Sequence, residues 1–267
     1  MSERKLQPIV ESYNTEEEYL YNKTYLFIKG FASGRNFKYT LKALPLARKM
    51  HDGQHRKGLV EINGEMVQLP YILHCLKVCS TLMSLNILMT DEELDILYTC
   101  AILHDTLEDA EKYFPKGGIE YQQDYGFPPM IGETIKLLSK QTGADEYELN
   151  AYFNNIKKNK FALLVKLADR SHNVEDLYNM KNIPKYIKET RDYFINKNGI
   201  CAYGKQNYPE LSNAITILKA KIVSLTEATE TILEKQSYLL EEKNKIIDKK
   251  NNEIEDLKKQ IEELKNK

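Results

Sequence analysis

Between Pro209 and Lys267 the sequence contains neither proline nor glycine. A run of that length without a helix breaker, rich in Leu, Ile, Lys, Glu and Asn, predicts one long helix over residues 213–267. Within it Leu225, Ile232, Leu239 and Ile246 repeat every seven residues, with Ile222 in the partnering position. Ile254, Leu257, Ile261 and Leu264 then follow a three-four pattern displaced by one residue, a step that reads as a coiled-coil stutter. From Glu241 onward eight Lys balance eight Asp and Glu, so the segment has no net field to draw it to a membrane or a nucleic acid. Self-association through this helix into a homo-oligomer is expected, although Lys243 and Lys250 fall on or beside the seam.

The rest of the chain also carries helical periodicity. Apolar residues recur at that spacing through Tyr19–Phe31, Leu41–Met50, Ile72–Leu88, Glu92–Leu103, Met130–Leu138, Phe161–Leu177 and Ile187–Phe194, which predicts an all-α fold. The exception is 59–69, where Val60 and Ile62 precede Asn63-Gly64, and Met66 and Val67 follow; that dipeptide suits a two-residue β-hairpin turn. Three segments result: a helical leader over 1–40, a main domain over 41–212, and the long helix. A formal net charge of −1 gives no bulk reason to expect nucleic acid. No stretch approaches the roughly 20 apolar residues that span a bilayer. The four cysteines sit among apolar, helix-patterned residues, as reduced thiols of a cytoplasmic protein would.

The chemistry is concentrated in Ile102-Leu103-His104-Asp105-Thr106-Leu107-Glu108-Asp109. Adjacent His and Asp on an otherwise apolar helix pack poorly but suit Mn²⁺, Fe²⁺ or Zn²⁺ as ligands. If the helix continues, Glu108 lies above His104 and Asp109 above Asp105. Four ionisable groups on one buried strip are unfavourable unless a cation neutralises them. His104 and Asp105 would hold the ion, leaving Glu108 and Asp109 to orient water and move its proton.

A metal needs further ligands. Asp169, in the apolar run Leu163–Ala168, is one candidate, with a salt bridge to Lys166 or Arg170 as its alternative. His51 is the other. Asn173 and Asp176 share the helical face of Asp169, Asn173 placed to hydrogen-bond beside the metal and Asp176 to pair with a cation. Arg56 and Lys57, just after His51, suit phosphate groups, and Arg can also stack on a base.

These motifs, with Gly53-Gln54 beside His51, Pro70-Tyr71-Ile72-Leu73-His74 and Lys166-Leu167-Ala168-Asp169-Arg170, occur in an order that resembles the HD-domain phosphohydrolases. The likeness is to the hydrolase domain of the RelA/SpoT homologue family, including its small stand-alone members of the metazoan SpoT-homologue type. It runs from Leu41 to near Lys219. It implies a helical HD bundle and Mn²⁺-dependent removal of the 3′-pyrophosphate of ppGpp or pppGpp, a guanine nucleotide. By position, His51, His104, Asp105 and Asp169 would be the metal ligands, and Glu108 and Asp109 the catalytic acidic pair. Arg56, Lys57, Asn173 and Tyr193 would contact the nucleotide. The chain departs from the family in the longer connection around Asn63-Gly64, in Cys75 where proline usually follows His74, and in Asp176 where threonine is common. The longer connection and Asp176 leave room for another phosphorylated nucleotide as substrate, whereas Cys75 is expected to be a structural change. A third reading makes the chain a coiled-coil scaffold carrying a nucleotide-sensing module.

Overall fold

The structure, a computed structural model, describes residues 16–62, 64–140, 143–179 and 182–266. The first fifteen residues of the expected leader and Asn63 of the expected turn lie outside them. The described chain is helical apart from one hairpin. In order it runs α1 (Glu16–Gly34), α2 (Lys38–Met50), β1 (Val60–Ile62), β2 (Glu65–Val67), α3 (Tyr71–Met83), α4 (Asp91–Leu103), α5 (Thr106–Asp109), α6 (Glu120–Gln123), α7 (Pro129–Leu138), α8 (Glu146–Lys157), α9 (Lys160–Asn173), α10 (Ile183–Thr190), α11 (Ile200–Asn207) and α12 (Ser212–Lys265).

The chain divides into two units, Met1–Ile222 and Val223–Lys267. In the first, α3, α4 and α9 form the centre, α3 packing on both α4 and α9 while α2 packs on α4. Their apolar residues, among them Leu76, Leu82, Leu97, Ile102, Leu164 and Leu167, are buried. The helices start where side chains can satisfy free backbone N–H groups. Thr90 and Glu93 form a capping box at α4, Asp145 and Glu148 form one at α8, and the Asn159 side chain accepts from Phe161 N and Ala162 N at α9. At the start of α2 the cap comes from another helix, since buried Asp95 of α4 accepts from Tyr39 N, Thr40 N and the Thr40 hydroxyl.

β1 and β2 pair antiparallel in the register Val60↔Val67, Glu61↔Met66, Ile62↔Glu65. Gly64 takes a φ of +85°, a value that glycine reaches without a Cβ penalty. The segment after α5 is tied down. Phe114 stacks on Tyr121 at 4.4 Å, and the buried Glu120 carboxylate accepts from Lys116 N and Gly118 N.

Several boundaries differ from the periodicity. α3 stops at Met83, because residues 84–90 turn into the cap of α4. The Phe161–Leu177 run bends after Asn173 into a 3₁₀ segment, Val174–Asn179, with Asp176 at φ −110°, ψ 24°. Ile187–Phe194 crosses from α10 into a π-helical turn, Arg191–Ile195. The periodic stretches read from the sequence do not include α8 or α11. The second unit is the C-terminal part of α12, one uninterrupted helix whose first turns belong to the first unit. All four cysteines are free and buried, and among the described residues no helix is long and apolar enough to cross a membrane.

Candidate metal centre

α4 carries apolar residues up to Leu103 and ends there, with His104 at its C-cap. The regular helix is interrupted at Asp105 (φ −97°, ψ −4°), although Asp109 N still donates to Asp105 O at 2.8 Å. This break turns the Asp105 carboxylate back toward His104. The His104 ring is buried and anchored by Nδ1, 2.9 Å from Ala101 O. Nδ1 therefore carries the proton, and the lone pair of Nε2 is left facing Asp105 Oδ2 at 2.9 Å and Asp169 Oδ1 at 3.8 Å. Among the described residues Nε2 is one of three buried side-chain polar atoms without a hydrogen-bond partner. A buried ring nitrogen 2.9 Å from one carboxylate and 3.8 Å from another attracts a proton or a metal ion.

The fourth group is His74, from the first half of α3. Its Nε2 lies 3.2 Å from Asp169 Oδ1 and 3.5 Å from Asp105 Oδ2. His74, His104 and Asp105 offer ligand atoms all within 4.8 Å of one another, and Asp169 touches both imidazoles. Two histidines and two carboxylates make a donor set that suits Mn²⁺, Fe²⁺ or Zn²⁺. The sequence places His74 within a motif and gives it no role by itself. The available signal is a lone histidine among Ile72, Leu73, Cys75 and Leu76, all buried.

His51, expected from the sequence to be a ligand, caps α2 and stands apart from this set. It is buried, with Nδ1 2.7 Å from Gln54 Oε1 and Nε2 3.8 Å from Cys75 Sγ. Gln54 in turn donates to Asp109 O at 2.8 Å, so His51 braces the segment that carries the acidic pair. Burial alone would lower the His51 pKa, but the Cys75 thiol, Gln54 and Asp105 together raise it to about 8.

The field of the cluster favours positive charge. Burial opposes ionisation of both carboxyls, yet His104 holds Asp105 below the usual carboxylate range, and Lys166 does the same for Asp169. Lys166 Nζ donates to Asp169 Oδ2 at 3.0 Å, the salt bridge expected as the alternative, while Oδ1 faces the two histidines. The imidazolium of His104 is disfavoured by burial but raised overall by Asp105. The position that attracts a proton at Nε2 attracts a metal ion for the same reason. Tyr71 donates its hydroxyl to Asp105 Oδ2 at 2.7 Å and fixes that carboxylate from outside.

Glu108 and Asp109 lie on α5, immediately after Asp105 in the chain. Burial raises the pKa of each, with the charge of Asp105 adding to the effect. Glu108 Oε2 accepts from Lys140 N at 3.1 Å. On the other side, the Arg56 guanidinium donates to Asn173 Oδ1 at 3.2 and 3.3 Å and pairs with Asp176 Oδ2 at 3.3 Å. Asn173 Nδ2 donates to Asp169 Oδ1 at 2.5 Å, which links Arg56 to the cluster through one side chain. Arg56, Asp176, His74 and His172 line a cavity of about 200 Å³ whose other walls include Val60 of β1, Leu69 after β2 and Leu20 of α1. Lys57 is exposed and is not among the residues lining that cavity. Tyr193 is placed elsewhere: it stacks on Phe153 at 4.2 Å and lines a separate hollow with Asp192, Asn196 and Asn198.

No family model matches the chain. Among solved structures it is similar to a metazoan orthologue of SpoT, described as hydrolysing ppGpp and playing a role in starvation responses, with 20% sequence identity and a TM-score of 0.46, over 72% of this chain and 96% of that one.

Proposed function

We propose that this chain is an HD-type phosphohydrolase that uses a divalent ion, Mn²⁺ in the first instance, to remove the 3′-pyrophosphate of ppGpp or pppGpp, releasing GDP or GTP and pyrophosphate. The observation that carries the reading is the convergence of His74 Nε2, His104 Nε2 and Asp105 Oδ2 with Asp169, around a His104 ring whose Nδ1 is already engaged by Ala101 O. His74, His104, Asp105 and Asp169 would hold the ion. When bound, it would supply an activated water at neutral pH and a positive charge for the phosphoryl oxygens.

The other side chains do the remaining work. Glu108 and Asp109, their pKa values raised by burial, are suited to take a proton from the attacking water and return it to the 3′-oxygen as its bond to phosphorus breaks. Arg56 and Lys57 supply cations for the phosphates, with Arg56 oriented by Asn173. Tyr71 keeps the Asp105 carboxylate in place.

A second reading keeps the chemistry and changes the substrate to another phosphorylated nucleotide, such as one bearing a single 2′- or 3′-phosphate. The pairing of Arg56 with Asp176 favours it, because a neutralised guanidinium holds a polyphosphate less strongly. Incubating the purified protein with ppGpp and Mn²⁺, with chelator, and as the Asp105→Asn variant tests both. Manganese-dependent release of GDP and pyrophosphate, lost in the variant, supports the alarmone reading. Intact ppGpp alongside turnover of another nucleotide on a panel would support the second reading, and inertness to every nucleotide would overturn the enzyme reading altogether.

A further inference from the structure

From Val223 to Lys265, α12 exposes more apolar surface than a solitary helix in water sustains. Ile232, Leu239, Leu240, Ile246, Ile247, Ile254, Leu257, Ile261 and Leu264 are all exposed. They are not scattered. Leu233, Leu240, Ile247, Ile254 and Ile261 fall at an unbroken interval of seven, so the step that reads as a stutter disappears when this row is taken as the seam. With that row at position a of the heptad, position d is filled by Gln236, Lys243, Lys250, Leu257 and Leu264.

We propose that this helix pairs in parallel with the same helix of a second copy of this chain. An exact seven-residue row from Leu233 to Ile261 is what a supercoiled partner helix requires, whereas a helix packed on a globular surface follows the 3.6-residue period and drifts about 20° per heptad. From Ile254 onward the seam has Ile at a and Leu at d, the combination that favours two parallel strands. In that register the flanking Glu253 of one chain faces Lys258 of the other, an attractive pair in both directions across the two-fold. The segment from Glu241 onward has balanced charge, which disfavours a lipid or nucleic-acid surface as the partner.

The seam is uneven. Lys250 Nζ pairs with Glu253 Oε2 of its own helix at 2.9 Å, which offsets its charge near the interface. Lys243 has Leu239, Leu240, Ile246 and Ile247 three and four positions away, and none of them is acidic. Two Lys243 side chains would therefore face each other. Pairing is tight over Ile254–Leu264 and loose around Gln236–Lys243.

Sedimentation equilibrium of the full chain tests this directly. The expected species has twice the 31.1 kDa chain mass, and Ile254→Glu combined with Ile261→Glu should convert it to a monomer while the thermal transition of the remaining helices is retained. Lys243→Leu should tighten association about tenfold or more, a gain that misfolding cannot mimic. Oxidation of a Leu264→Cys variant should join the two chains, because the d positions of a parallel pair face each other and all native cysteines are buried. A wild-type monomer, a larger assembly, or a dimer indifferent to the double substitution would overturn the proposal, and a dimer that forms no cross-link at position 264 would overturn its parallel sense.

Discussion

His74 and His172 meet through their Nδ1 atoms at 2.8 Å, so one proton lies between them. Their rings, 4.8 Å apart, belong to α3 and α9. Burial, with His74 and Arg56 nearby, lowers the His172 pKa to about 2, and burial lowers that of His74. Both are neutral rings whose tautomers are linked. When Nε2 of His74 is engaged by a metal, its Nδ1 carries the proton and donates to His172. On the proposed reading His172 would thus orient a metal-binding ring without meeting the ion.

Replacing His172 by Phe keeps a ring in the space but removes the acceptor. The His74 tautomer is then no longer fixed, and Mn²⁺ affinity should fall about 10–100-fold, the range for loss of a group that orients a ligand. Calorimetric titration with Mn²⁺ reads this without reference to any substrate. An unchanged affinity would mean that the Nδ1 contact does not orient His74.

If Arg56 binds substrate phosphate as proposed, Asp176 would compete with it for the guanidinium. The pair is partly exposed, with the two side chains at 18% and 34%, so screening limits it to about 1 kcal/mol. Asp176→Asn should lower KM for a polyphosphorylated nucleotide about fivefold and leave kcat nearly unchanged. A raised KM would show instead that the carboxylate contacts the substrate.

How far the site can be read in the sequence depends on whether neighbours in space are neighbours in the chain. The long helix and the hairpin are legible because glycine and proline are absent from one and Asn63-Gly64 punctuates the other. His104 and Asp105 stand out as a polar pair ending an apolar helix. His74 does not, because its meaning comes from Asp169 and His172, far along the chain. His51 looks equivalent to it, since spacing alone does not show that the end of α2 directs this ring to Gln54 and Cys75. The expectation for Tyr193 rests on analogy, and the π-helical turn Arg191–Ile195 sets that ring against Phe153.

Arg170 gives the fold a pH-dependent anchor outside the site. Its guanidinium lies between the rings of Tyr186 and Phe194, bonds Thr190 Oγ1 and pairs with Glu189 Oε1 at 2.5 Å. Burial would raise the Glu189 pKa, but Arg170 holds it below the usual value. Because the folded-state pKa is depressed, the stabilisation is complete above the unfolded value of about 4.3 and is lost as pH falls from there through the folded value. Glu189→Ala should cost about 3 kcal/mol at neutral pH, the low end for a broken buried pair since Thr190 and the two rings remain. Urea midpoints measured from about pH 6 down to about pH 3 should converge for wild type and variant; a constant gap would remove Glu189 from the acid response.

The most direct measurement is Mn²⁺ binding by two variants side by side, His74→Ala and His51→Ala, followed by calorimetry with folding checked by circular dichroism. A centre built from His74, His104, Asp105 and Asp169 predicts that His74→Ala abolishes stoichiometric binding while His51→Ala retains it. Binding that survives loss of His74 and disappears with His51 would contradict the account and return the ligand set to the one expected from sequence.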